Sequence, residues 1–508
     1  MRFYLTTPIY YVNSTPHIGH AYTTIAADII VRHHRQRGDE TFFLTGVDEH
    51  ADKVARVAAE QGLTPREYTD AIVGVWQELP RRLNATNDFF IRTSDEGHKR
   101  FVQDFLQRIY DNGREDIYQD VYAGWYCVGC EAFKTEDELV DGKCPDHGTE
   151  PEWLEERNWF FRLSAYQEAL LAIYDQRPDF VLPQFRANEA RSFIEGGLRD
   201  FSISRATQTW GVPIPWDPDQ VAYVWADALI NYLSALSYAP NTGAPGENLM
   251  RFWPGTHLLA KDILRFHCVY WPAMLLAAGY EPPRQLFVHG YLNIDQRKIS
   301  KSLGNVIDPL DLIDVYGADA VRFWCARQVS FGQDGNVTLD SFQERYDREL
   351  ANDLGNLLSR TTAMIARYRD GTLAKTPGSG AIDTESLRAA LVEHFDRFDI
   401  TGALEEIWQA VRRLNQYVES NAPWELAKDE SNADELDSVL YDLADGLCAV
   451  AVAVSPYLPE TAPRILEALH QPPDLSLERV RAQTAESAEG IEPAPPLFPR
   501  VEEPTAAA

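Results

Sequence analysis

Cysteine is scarce in this chain: six among 508 residues, at positions 127, 130, 144, 268, 325 and 448. So few, with three crowded into one short segment, exclude a fold built on disulfides and the oxidising compartment such folds need. Long apolar runs are missing too. The longest, Leu447 to Val454, falls far short of the roughly 20 apolar residues that cross a bilayer, so no membrane partner is expected. The opening MRFYLTTPIYY lacks the apolar stretch of a signal peptide, and a cytoplasmic location is expected. Basic residues are in short supply, 47 Lys+Arg against 77 Asp+Glu, for a net charge of −30. An anionic surface repels phosphate backbones at long range, so a nucleic-acid partner would have to be met by local basic patches. Arg32, Arg35 and Arg37, or Arg412 and Arg413, are candidates.

What is present is an ordinary globular composition, 45% hydrophobic and 24% charged, at a length suited to about three domains. Residues 1–115 read as α/β. A strand-like run, Phe3 to Thr6, leads through the turn NSTP into a helical stretch from His17 to Arg37, then a second strand, Thr41 to Thr45. Helical patterns follow over 51–61 and 65–79. The alternation predicts a parallel sheet of nucleotide-binding type. Residues 116–220, rich in Trp, Tyr, Cys and charge with no long periodic helix before Leu163, read as an insertion. The α/β character returns over 221–327, with the strand-like Leu286 to Gly290.

Helices dominate from Leu339. Leu350, Leu354, Leu357, Leu358 and Ile365 share one helical face, and helical patterns cover 384–395, 401–420, 434–454 and 459–469. The stretch 328–470 is predicted to be a helical bundle. Residues 471–508, rich in Pro, Glu and Ala, are expected to be extended, with a loose tail after Val501.

Four constellations carry possible chemistry. The first is His17-Ile18-Gly19-His20. Thr15 suits a helix cap and Pro16 a first helical position, which would set both histidines in the first turn on one face. Exposed N–H groups at a helix start attract anions, and two imidazoles there could hold phosphate oxygens; a pair of surface histidines is the plainer reading. The second is Lys298-Ile299-Ser300-Lys301-Ser302, followed by Leu-Gly-Asn. Two lysines three apart on a loop eased by Gly304 and Asn305 suit a flap closing on a polyphosphate, or else form a solvated basic loop.

The third is Cys127-x-x-Cys130 with Cys144-x-x-His147, three thiolates and an imidazole, enough for one tetrahedral structural zinc. A chance cluster of thiols is the alternative. The fourth is Asn356, Arg360 and Trp424. The first two project away from the leucine face, and the Trp offers a surface on which an RNA base could stack. A solvated helix face and a Trp packed through Pro423 explain them equally.

In this order on an α/β scaffold, the first two constellations resemble the two signatures of the class I aminoacyl-tRNA synthetases. Nearly end to end, the chain is similar to the methionyl-tRNA synthetases among them. TTPIYYVNSTPHIGHAYTTIAADI, FLTGVDEH, YVWADALINYL, KDILRFHCVYWPAML, VHGYLNIDQRKISKSLGN, ANDLGNLLSR and NAPWELAKD all carry the likeness. The resemblance implies a split Rossmann-type catalytic domain with a zinc-knuckle insertion, followed by an all-α bundle that reads the anticodon. It implies a methionine–tRNA ligase acting on methionine, ATP with Mg²⁺, and tRNA(Met) including the initiator.

By the same resemblance, His17, Gly19, His20, Asp262, Lys298, Ile299 and Lys301 would meet ATP, with His17, His20, Lys298 and Lys301 the catalytic groups. Asp48 would hold the substrate ammonium. Ile9, Trp225, Tyr232 and His267 would surround the thioether, a setting in which aromatic faces suit a polarizable sulfur, and Tyr11 would close over the site. Asn356, Arg360 and Trp424 would read the CAU anticodon. Three departures stand out: Ala260 precedes Lys261 where the family more often has Gly, Ile299 stands where many members have Met, and His147 stands where many have a fourth Cys.

Three other functions fit the sequence less well. Synthetases for valine, leucine and isoleucine carry a large editing insertion, but only 301 − 20 − 1 = 280 residues separate His20 from Lys301, and about a hundred belong to the knuckle-bearing insertion. A small-molecule nucleotidyltransferase would not need the helical C-terminal half. A silent RNA-binding paralog would not need the intact histidine and lysine motifs. The ending LFPRVEEPTAAA is similar to family members without an added C-terminal tRNA-binding domain, so a monomer is expected.

Overall fold

In a computed structural model, all residues are described except 13–14, 129–131, 135, 146–147, 241–245, 295–296, 299–306 and 502–508, with the backbone alone for 122, 132–133, 294 and 297–298. The segment after Val501 therefore lies outside the described residues.

Alternation along the strands fixes which core each side chain enters. Phe3 and Leu5 pack in one hydrophobic cluster and Tyr4 in another; Phe43 opposes Phe42 and Leu44, and Phe287 opposes Leu286 and Val288. Such period-two sharing, apolar on both faces, is the mark of a sheet covered on both sides. The strands are β1 (Arg2–Thr6), β2 (Tyr10–Tyr11), β3 (Glu40–Asp48), β4 (Phe89–Arg92), β5 (Val181–Leu182), β6 (Thr256–Ala260) and β7 (Gln285–His289). All pair in parallel, in the order β4–β3–β1–β6–β7–β5, with β2 running beside the end of β3. The sheet grows one way from β1 and the other way from β6. Between them lies the reversal point where open α/β sheets place their ligands, outside the carboxyl ends of the strands.

The 116–220 segment is not wholly apart from this sheet, because β5 joins it beside β7. The rest forms an antiparallel ribbon, Ile117–Cys127 against Glu152–Phe161, followed by the helices Gln167–Gln176 and Gln184–Glu195.

The helix Ile18–Gln36 covers one face of the sheet, and the core there runs on without a break into the bundle. Leu350, Leu354, Leu357, Leu358 and Ile365 are all buried, as their spacing predicts. The helices Thr384–Asp396, Ile400–Asn421, Ala433–Val454 and Thr461–Ala468 lie close to their predicted bounds. Beyond Gln471 the chain is extended, and Leu477, Val480, Ile491, Leu497 and Phe498 are buried against the bundle. Among the described residues no helix is long and apolar enough to cross a membrane.

Polar groups cross the seam between sheet and bundle at several points, two of which bear on stability. At one, Arg322 and Asp28, both without exposed side-chain surface, form an ion pair of 2.8 Å. At the other, the His33 ring stacks on Phe395 at 3.8 Å between centroids. Burial, helped by the nearby charges of His34 and Arg37, pushes the His33 imidazole down to about 3. Between pH 6.5 and that value the unfolded chain binds a proton that the folded chain refuses, so stability falls as pH drops through this window. His33→Phe removes this proton uptake and keeps the stack. Relative to the parent, its denaturant midpoint is expected to improve from pH 7.5 to pH 5 by the equivalent of about 2 kcal/mol. A gap independent of pH would show that His33 is not held neutral.

Candidate active site at the sheet reversal point

The helix Ile18–Gln36 begins later than the sequence suggests. Its cap is neither Thr15 nor a residue before Pro16 but His17 itself. The His17 Nδ1 accepts the Gly19 N–H at 3.1 Å, and the His20 Nδ1 accepts the His17 N–H at 3.1 Å. Imidazole rings here do what hydroxyls usually do. The consequence is chemical. An Nδ1 that accepts from the backbone carries no proton, so each neutral ring bears its proton on Nε2. The two rings lie 3.9 Å apart between centroids. Gly19 is required by the first of them: a Cβ there would stand 2.9 Å from the His17 ring.

Around this helix start lies a cavity of about 340 Å³ at the carboxyl edge of the sheet. Ile9 and Tyr11 after β1, Asp48 at the end of β3, Asp262 after β6, and Trp225, Tyr232 and His267 line it together with His17, Gly19 and His20. Residues spread from position 9 to 267 thus line one cavity. A larger surface groove of about 690 Å³, lined by Arg32, Asn84 and Glu460 among others, is more open and holds none of the residues expected to meet ATP or methionine, so chemistry favours the smaller cavity.

The cavity wall is held neutral and fixed. The His267 Nδ1 lies 3.0 Å from the Ile263 carbonyl, which only an N–H can satisfy, so Nε2 accepts the Tyr232 hydroxyl at 2.7 Å. Burial pushes the His267 imidazole down to about 4. Trp225 is stacked on Phe266 at 3.9 Å. An apolar, aromatic, uncharged end and an anionic end at Asp48 suit a zwitterionic amino acid with a thioether side chain.

Several lining residues escaped the sequence reading. Tyr10 meets the His20 ring edge-on at 4.9 Å, and Trp76 meets it from another side at 4.9 Å, so the imidazole is clamped. His289, whose Nδ1 donates to the Gly290 carbonyl at 2.8 Å, leaves Nε2 to the Thr23 hydroxyl at 3.0 Å. Tyr10 lies between Ile9 and Tyr11, and His289-Gly290 lies within VHGYLNIDQRKISKSLGN, so the sequence carries a signal for both. Lys261, after the unusual Ala260, pairs with Asp334 at 2.5 Å and lies 4.5 Å above the Tyr291 ring.

The described residues on either side of the lysine motif lie beside the cavity and the helix start. Leu292, in the strand Leu292–Ile294, lines the cavity, and that strand pairs with the backbone of Arg297–Lys298. Past the motif, the Ile307 carbonyl accepts the Ile18 N–H at the helix start, at 3.1 Å. The Lys298 side chain, Ile299 and Lys301 lie outside the described residues.

The comparisons with known proteins agree with this geometry. The family model described as "tRNA synthetases class I (M)" matches residues 3–152 and 146–362. The Methionine--tRNA ligase of Caldanaerobacter subterraneus subsp. tengcongensis is 44% identical, over 98% of this chain and 79% of its own. The chain belongs to the methionyl-tRNA synthetases of class I. The Methionine--tRNA ligase of Streptomyces coelicolor is 41% identical over 99% of this chain and 98% of its own. The solved Mycobacterium tuberculosis methionyl-tRNA synthetase in complex with methionyl-adenylate superposes with a TM-score of 0.92 at 42% identity, over 98% of this chain and 100% of that one.

Two predicted groups lie away from the cavity lining. In the knuckle, Cys127 ends its strand and Cys144 sits in a tight turn, both fully buried. Cys130 and His147 lie outside the described residues, and among the described residues no group of three or more His, Cys, Asp or Glu side chains forms a metal site. In the bundle, Asn356 is exposed at the start of the helix Asn356–Arg369. Arg360 pairs with Glu419 at 2.7 Å and lies 5.9 Å from the Trp424 ring centre. Ala422, two residues before that Trp, takes φ +38°, a left-handed conformation that costs a residue with a side chain about 1–2 kcal/mol.

Proposed function

We propose that the chain activates methionine with ATP and transfers it to tRNA(Met). The observation that carries this reading is the convergence on one cavity, at one sheet edge, of the two histidines of a helix start, the acidic Asp48 and a neutral aromatic wall. A methionine carboxylate oxygen attacks the α-phosphorus of ATP, pyrophosphate leaves, and methionyl-adenylate forms. His17 and His20 donate to the phosphate oxygens as charge builds on them, and Lys298 and Lys301 hold the β- and γ-phosphates. No protein nucleophile takes part; positioning and charge stabilisation do the work. The triphosphate is bound as its Mg²⁺ complex. The terminal adenosine hydroxyl of the tRNA then attacks the adenylate carbonyl carbon, and AMP leaves.

Asp48 holds the methionine ammonium, Trp225, Tyr232, His267 and Ile9 enclose its side chain, Tyr11 covers it, and Asp262 and Gly19 border the nucleotide. Asn356, Arg360 and Trp424 read the anticodon, the strained Ala422 setting the pose of the Trp. The chain acts in the cytoplasm as a monomer. Since activation precedes anticodon reading, Trp424→Ala should lower tRNA charging by about tenfold or more, the worth of one stacked base. Methionine-dependent ATP–pyrophosphate exchange should stay within about twofold of the parent. Equal losses in both assays would contradict this division.

Cys127, Cys130, Cys144 and His147 hold one structural zinc. The two described thiols are buried while the segment Glu136–Lys143 between them is mostly exposed. A lobe with so little apolar core of its own needs a staple, and thiolate and imidazole donors suit zinc. Metal analysis of the purified chain should find one zinc per molecule; its absence would remove this assignment.

A further inference from the structure

Behind the cavity, out of reach of any ligand, lies a buried carboxylate that the mechanism does not use. Asp227 has no exposed surface. Each of its oxygens takes one imidazole: His50 Nδ1 at 2.6 Å from Oδ2, and His98 Nε2 at 2.7 Å from Oδ1. The far nitrogen of His98 meets the Ser234 hydroxyl at 2.7 Å. Burial alone would raise the Asp227 carboxyl, but the two facing imidazoles outweigh it and hold it below the usual carboxylate range.

The placement of these residues in the chain gives the cluster its meaning. His50 stands two residues past Asp48, in the loop that ends β3. Asp227 lies in the short helix Val224–Ala228, two residues past Trp225. Ser234 lies in the helix Asn231–Tyr238, two residues past Tyr232. Asp48, Trp225 and Tyr232 all line the cavity, while Asp227, His50 and His98 do not. The elements carrying the two ends of the amino-acid pocket are therefore braced against one another from behind. A buried ionic cluster is a poor source of stability, since well-packed apolar groups often do as well or better. Short charge-assisted bonds in a dry interior do enforce a single geometry.

We propose that Asp227 and His50 are positioning residues that set the span between Asp48 and the Trp225–Tyr232 wall, and through it the side-chain length the enzyme accepts. This rests on the pocket assignment proposed above. The span matters because a displacement of about 1 Å can cost 10²-fold in rate, and one methylene in an apolar pocket is discriminated by about 10–200-fold.

The test is exchange kinetics of the full-length chain with methionine and with ethionine, its homologue longer by one methylene. His50→Ala removes the brace. It is expected to raise the methionine KM by about tenfold, to lower the preference for methionine over ethionine by about tenfold, and to leave the ATP KM within about twofold. His50→Asn sets an amide nitrogen where Nδ1 stood, and should bring both values back to within about threefold of the parent. If His50→Ala does not accumulate as folded protein, His50→Gln, which carries its amide one bond too far, replaces it with the same expected shifts. An unchanged methionine KM, equal rises for methionine and ATP, or an Asn variant no better than its disrupted counterpart overturns the proposal. Asp48→Asn separates the two levels. If it too leaves the methionine KM unmoved, the pocket assignment fails; if it raises that KM while His50→Ala does not, only the brace fails.

Discussion

His20→Ala is expected to lower methionine-dependent ATP–pyrophosphate exchange by about 10²–10³-fold, the usual cost of removing one donor aimed at developing charge. The ring does two jobs. Its Nδ1 accepts the His17 N–H, which completes the helix start, and the ring lines the cavity, where its Nε2–H is the donor proposed to meet phosphate. Alanine loses both, so a stability loss of about 1 kcal/mol from the missing cap accompanies the loss of activity. Asparagine divides the two roles. Its amide oxygen stands near the Nδ1 position and can keep the cap, but it offers nothing at the Nε2 position. His20→Asn should therefore be nearly as stable as the parent and nearly as inactive as His20→Ala. Glutamine, which reaches the Nε2 position, should retain more exchange than asparagine. An asparagine variant with near-parental exchange would show that the Nε2–H donor is not used.

The second large effect is structural. Arg322 in the helix Ala318–Gln328 donates to the carbonyls of Leu83, Pro456 and Tyr457 and pairs with Asp28 of the helix Ile18–Gln36. Asp28 also takes Arg32 at 2.7 Å and the N–H and hydroxyl of Thr86, each at 2.7 Å. Burial alone would raise the Asp28 carboxyl, but Arg322 and Arg32 outweigh it and hold it below its ordinary value. One guanidinium thus joins the catalytic helix, the loop after Arg82 and the bundle.

Arg322→Met fills much of the volume but leaves a buried carboxylate short of a partner and three carbonyls without donors. A loss of about 3–5 kcal/mol is expected. Arg322→Lys keeps the charge without the fork and should fall between. Denaturant titration followed by both tryptophan fluorescence and exchange activity reads the effect. A loss below about 1 kcal/mol would mean that the seam is held by apolar packing alone.

Most of the fold was legible because periodicity is a local signal. Strands β1 and β3 and the five leucine-face positions of the bundle follow from spacing alone. The helix Glu96–Tyr110 carries the same signal at Val102, Phe105, Leu106 and Ile109, yet its charged first turn hid it. Strand β5 could not be read, since two residues at the end of a sheet have no period of their own.

For the site, motif order pointed to ten of the residues that line the cavity, Ile9, Tyr11, His17, Gly19, His20, Asp48, Trp225, Tyr232, Asp262 and His267, but not to Tyr10 or His289. The exchange of Thr15 for His17 as the cap was hidden because hydroxyl residues are the usual caps, and an imidazole does the job only when the next turn supplies a second one. The His50–Asp227–His98 cluster was out of reach for a different reason. Its members are 177 and 129 residues apart along the chain and become neighbours only once the sheet has formed.

The most direct measurement is ATP–pyrophosphate exchange run with each of the twenty amino acids in turn. Methionine alone should support it, and should do so without tRNA. Exchange driven by another amino acid, or none with methionine, would contradict the reading of this cavity as a methionine-activating site.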